Sequence, residues 1–66
     1  MRIIIKLKEV RISKNITLSK LAKMTHMSKG HLSRLENQET EPKIGTLVKL
    51  AFALHVQVDQ LYKIEK

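Results

Sequence analysis

Thr17 and Ser28 each stand directly before a short helical stripe, and only His26 and Met27 separate the two stripes. A hydroxyl at such a place accepts a hydrogen bond from an amide of the first helical turn, whose donors otherwise lack partners. Leu18, Leu21, Ala22 and Thr25 form the first stripe. Leu32 and Leu35 anchor the second, which runs to about Asn37. The segment "TLSKLAKMTHMSKGHLSRLE" therefore predicts two short helices joined by a tight turn, with the small Ala22 suited to a close crossing.

The flanking segments add further elements. Ile3, Leu7 and Val10 fall at i, i+4 and i+7, a helical stripe running to Ser13. Three β-branched residues in a row, Ile3-Ile4-Ile5, favour a strand instead, which would leave residues 2–5 extended and start the helix near Lys6. "SKN" at 13–15 makes the turn that follows. "QETEPK" reads as a polar loop ended by Pro42, and Ile44, Leu47, Ala51 and Leu54 as the buried stripe of a fourth helix. "HVQ" turns the chain again, and Val58, Leu61 and Tyr62 predict a short fifth helix. The expectation is an all-α fold of five short helices about one core, residues 1–66 forming a single domain.

With 66 residues the chain lies near the lower limit for folding without staples, and it has no cysteine to supply a disulfide or a thiolate metal site. No apolar run approaches the roughly 20 residues of a membrane span. "MRIIIKLK" is too short and too quickly charged for a secretory signal. A complete small cytoplasmic protein is expected. Its net charge of +7 is unevenly spread. Residues 1–34 hold nine Lys and Arg against the single acid Glu9, whereas residues 35–66 hold four bases and five acids. A basic half of this kind is either a solvated surface or one that faces a polyanion.

Gly30 sharpens the question. It lies inside the first turn of the third helix, between Lys29 and His31, where glycine costs about 1 kcal/mol relative to alanine. Either the helix crowds its neighbour at this point, or the surface is kept bare for contact.

The residues 17–36 quoted above resemble the helix-turn-helix domain of the lambda repressor and Cro type, also called the xenobiotic-response-element family. "SRLEN", the loop ending in Pro42, and "TLVKLAFALHVQVDQLY" extend the similarity from about Ile3 to Tyr62, with a helix-turn-helix core at 17–37. The resemblance implies a DNA-binding regulator, expected to be a bacterial or phage repressor, with its third helix in the major groove of duplex DNA. It implies base contacts by Lys29, Gly30, Ser33 and Arg34. Around them Ser28, Thr40, Lys43 and Lys20 are expected to contact phosphates, and His31 either does so or covers the core. Lys29 and Arg34 can donate to guanine O6 and N7, Arg with two bonds. Ser28 brings the free amides of a helix N-terminus to an anion. An Arg11–Glu36 pair is expected to bridge the ends of helices one and three. Four departures stand out. Leu18 replaces the family's phosphate-binding Gln, leaving that contact to Lys20 or a backbone amide. His26 occupies a glycine position in the turn, which predicts a positive φ. Lys43 and Gln57 stand where helices four and five would carry capping residues.

Other chemistries find little support. His26, His31 and His55 have no carboxylate at ligand spacing, so no metal or other cofactor and no small-molecule ligand are expected. No nucleophile has a matched base, Ser28 near His31 being better explained by capping, and the chain is not expected to be an enzyme. The apolar stripes are too narrow for a membrane-surface helix. A protein-binding adaptor, such as an antitoxin that masks a partner, remains the alternative. A homodimer is expected, because one recognition helix reads too few base pairs to locate a site. Phe52, Val58, Leu61, Tyr62 and Ile64 are its expected interface, with "RIII" at 2–5 pairing with the tail near Tyr62–Ile64.

Overall fold

The computed structural model describes all residues, Met1–Lys66. Strand β1 (Arg2–Ile5) leads into α1 (Leu7–Ser13), α2 (Leu18–Thr25), α3 (Lys29–Glu36) and α4 (Ile44–Leu54). One turn of 3-10 helix (Val58–Gln60) and strand β2 (Tyr62–Glu65) complete the chain. The two strands pair antiparallel, with Arg2 opposite Glu65, Ile3 opposite Ile64, Ile4 opposite Lys63 and Ile5 opposite Tyr62.

Four helices and one 3-10 turn thus replace the expected five helices, while the two-stranded sheet is the expected pairing of "RIII" with the tail. The three isoleucines adopt the extended form that their β-branched side chains prefer, so Ile3 belongs to β1 and α1 begins at Leu7. At the other end, Val58, Asp59 and Gln60 complete only one tight turn, in which the Gln57 amide donates to Gln60 Oε1 at 2.9 Å. Tyr62, expected in a helix, is drawn into the sheet instead.

The core consists of Ile5, Leu7, Leu21, Leu32, Leu35, Leu47, Leu50, Ala51, Leu54 and Leu61. α4 buries Leu50 beside the expected Leu47, Ala51 and Leu54, whereas Ile44, expected inside, is 70 % exposed in its first turn. Leu61, expected at a dimer interface, is wholly enclosed by its own chain. Together with Ile5, it carries the sheet onto the helical core.

Two polar bridges tie distant segments together. Gln38, in the loop after α3, spans both backbone groups of Ile5. Its Oε1 accepts from the Ile5 amide and its Nε2 donates to the Ile5 carbonyl, each at 2.8 Å. Arg11 Nε and Nη2 donate to Glu36 Oε2 and Oε1 at 2.7 and 3.2 Å, and Arg11 Nη1 donates to the Ile16 carbonyl at 2.9 Å. The side chains of this ion pair are only 12 % and 5 % exposed. The pair fastens the end of α1 to the end of α3.

Candidate nucleic-acid interface

The local chemistry of α2 and α3 fixes how they meet. Thr17 Oγ1 accepts from the Lys20 amide at 3.1 Å and opens α2. Thr25, buried at the other end, donates its hydroxyl to the Leu21 carbonyl at 2.8 Å, which leaves no unpaired polar atom inside. His26 then takes φ 57° and ψ 32°, the left-handed geometry expected of the position, and the Met27 amide closes back onto the Ala22 carbonyl at 3.1 Å. Ser28 Oγ accepts from the His31 amide at 3.0 Å and starts α3. Leu32 and Leu35 are buried, which leaves the opposite side of α3 outward.

On that outward side Lys29, Gly30 and Arg34 are exposed and Ser33 is half-buried. Gly30 and Arg34 lie one helical turn apart on one face, and Lys29 and Ser33 pair in the same way. A Cβ added at Gly30 would meet no atom within 4 Å, so crowding against α2 does not explain the glycine. Its φ is not positive either, so backbone conformation does not require it. Gly45, in the first turn of α4, is equally unobstructed. Sequence reasoning passed over it, although its placement in a helical first turn was visible.

Of the remaining candidates, Ser28, Lys20 and Lys43 are exposed and His31 is half-buried. Lys43 precedes α4 without a side-chain cap, so the helix N-terminus it introduces keeps free amides. Thr40 is half-buried and lines a groove of about 770 Å³ between β1 and the start of α4, together with Gln38, Pro42, Ile44 and Ile64. The expected interface residues divide. Phe52 is 83 % exposed, Ile64 is exposed, and Val58 and Tyr62 are half-buried. Leu61 is unavailable. Among the bases of residues 1–34, only Arg2 and Arg11 form ion pairs; Lys6, Lys8, Lys14, Lys20, Lys23, Lys29 and Arg34 remain free. No three His, Cys, Asp or Glu side chains are grouped to hold a metal. No helix is long and apolar enough to cross a membrane.

This arrangement has known counterparts. A transcriptional regulator of the helix-turn-helix type, SutR of Escherichia coli K12, is 40 % identical over 50 residues, which are 76 % of this chain and 28 % of that protein. The chain therefore spans little more than a quarter of that relative. A candidate DNA-binding protein from Bacteroides fragilis superposes with a TM-score of 0.89 at 29 % identity, over 94 % of this chain and all of that one. SinR, a master regulator of biofilm formation solved in complex with DNA, superposes with a TM-score of 0.73 at 37 % identity, covering 80 % and 86 %. A family model for the helix-turn-helix (HTH_3) matches residues 7–65, all four helices and the whole of β2. With capped α2 and α3 meeting across a left-handed turn, the chain belongs to this Cro/cI-type family of DNA-binding transcriptional regulators, which are not enzymes.

Proposed function

We propose that this protein binds a specific duplex DNA operator as a homodimer in the cytoplasm and represses transcription by occupying it. α3 enters the major groove, with Lys29, Gly30, Ser33 and Arg34 at base edges. Ser28, His31, Lys20, Thr40 and Lys43 meet phosphates on either side, fixing register without reading sequence. The observation that carries this reading is Gly30. It is a glycine in a helix, with neither a packing neighbour nor a backbone constraint to require it, on the face that carries Arg34. A bare helix surface flanked by Lys29 and Arg34 suits close approach to a base edge or a thymine methyl group. The free amides at the start of α3 and α4 suit phosphate oxygens.

Sites selected from a random duplex library provide the test. On the preferred site, log affinity should fall linearly with log salt, by about 0.9 for each phosphate contacted. Arg34→Ala should cost about 1–3 kcal/mol there and relax one base position. A flat salt response would exclude a phosphate-dominated interface, and equal losses on all sequences would make Arg34 a phosphate contact. A second reading, a module whose main partner is another protein, draws on the exposed Ile44, Val48 and Phe52, spaced four residues apart on α4. That reading predicts no preferred sequence in the selection.

A further inference from the structure

The backbone of β2 is used on one side only. The Lys6 amide donates to the Leu61 carbonyl at 2.7 Å, which sets the alternation of the β1–β2 ladder. In an antiparallel pair, opposed residues alternate between exchanging hydrogen bonds and turning their N–H and C=O outward. Ile4 with Lys63 and Arg2 with Glu65 are therefore bonded pairs, while Ile5, Ile3, Tyr62 and Ile64 turn their backbone groups away from the ladder. On the β1 edge, the Gln38 side chain occupies both groups of Ile5. On the β2 edge, no backbone hydrogen bond beyond the ladder engages Tyr62 or Ile64. That edge is open.

We propose that the β2 edge pairs with β2 of a second copy about a two-fold axis at Ile64, joining two sheets into one of four antiparallel strands. This rests on the homodimer reading above and specifies how the two chains meet. The register follows from charge. With Ile64 opposite the partner's Ile64, Lys63 faces the partner's Glu65 and Glu65 faces the partner's Lys63, both in the closer, non-bonded pairing where side chains interact most. Sliding the axis to Lys63 would set two lysines directly opposite, a destabilising arrangement. Pairing through the β1 edge about Ile3 would require the groups of Ile5 that Gln38 already holds.

The same register accounts for exposed apolar surface. Ile3 and Ile64 are 42 % and 54 % exposed and lie opposite each other on one face of the sheet. Across the two-fold axis they become a row of four isoleucines, Ile3 and Ile64 followed by the partner's Ile64 and the partner's Ile3. On the other face, Glu65 comes to lie between Arg2, its neighbour at 3.6 Å, and the partner's Lys63. The second copy thus continues both an apolar row and an alternation of charge.

Sedimentation equilibrium of the whole chain, with and without a selected DNA site, tests the proposal. Ile64→Pro deletes an N–H that the β1–β2 ladder does not use, a substitution that strand edges tolerate. It should leave the helical circular dichroism intact and yield a monomer that still binds a half-site. Lys63→Glu and Glu65→Lys should each raise the dimer dissociation constant about tenfold or more, and the double exchange should restore it. In the wild type, the amides of Tyr62 and Ile64 should exchange more slowly as concentration rises. A dimer that survives Ile64→Pro and ignores both charge reversals overturns the strand pairing and leaves the homodimer standing. A wild-type monomer, on and off DNA, overturns both.

Discussion

Gly30 and His26 each depart from the preference of their residue type, and the two departures have opposite consequences. Gly30 occupies an ordinary helical site with open space beside it, so Gly30→Ala should raise stability by about 1 kcal/mol in urea denaturation. The same methyl group stands on the face assigned to DNA, and affinity for the preferred site should fall. A variant that is both more stable and fully active would remove contact as the reason for the glycine. His26, by contrast, is a side chain in a left-handed conformation, which costs an L-residue roughly 1–2 kcal/mol. His26→Gly relieves that strain and adds unfolded-state entropy, so the melting temperature should stay or rise. A clear fall would mean that the imidazole makes a specific stabilising contact. Asn15, Gln38 and His55 adopt the same conformation after the other helices, so none of the four helix ends relies on glycine.

At the level of elements, α2 and α3 were legible because their signals are local: a hydroxyl cap, a leucine stripe and a turn within 20 residues. The fifth helix was misread because Val58, Leu61 and Tyr62 also fit a helical period, while the partner that makes Tyr62–Glu65 a strand lies at the other end of the chain. Local periodicity cannot register such a partner; the β-branched run Ile3-Ile4-Ile5 did, through the expected pairing of "RIII" with the tail, without displacing the helical reading of Tyr62. Ile44 was misplaced for a related reason, since the first turn of α4 overhangs the core that its later turns complete. The proposed DNA-facing set came from family resemblance and the charge pattern, and the structure adds exposure, capping and the empty space at Gly30. The Arg11–Glu36 pair also came from resemblance, and its burial was visible only in three dimensions. Glu36→Ala strands the Arg11 guanidinium between the ends of α1 and α3, at a cost of about 3–5 kcal/mol. Thermal denaturation checks this. A melt unchanged from wild type would show that the Ile16 carbonyl and solvent suffice for Arg11.

For the whole molecule, the basic half and the near-neutral half coincide with distinct parts of the fold. Residues 1–34 run from β1 through most of α3, and the acids gather in the loop before α4 and toward β2. Nothing local marked Gln38, a polar residue in a polar loop, yet its amide holds both backbone groups of Ile5 at the edge of the sheet. A strand edge is a template, and a sheet with two open edges can add copies without end, as a filament does. By occupying Ile5, the Gln38 amide stands in for a third strand over part of the β1 edge, so the proposed pairing through the β2 edge would stop at two chains. Gln38→Ala should therefore reopen the isoleucine-rich "RIII" edge, and light scattering on concentration should reveal growing species where the wild type reaches a plateau. A plateau in the variant would mean that β1 is shielded by something else. On the proposed pairing, one glutamine would make the difference between a closed particle and an open polymer.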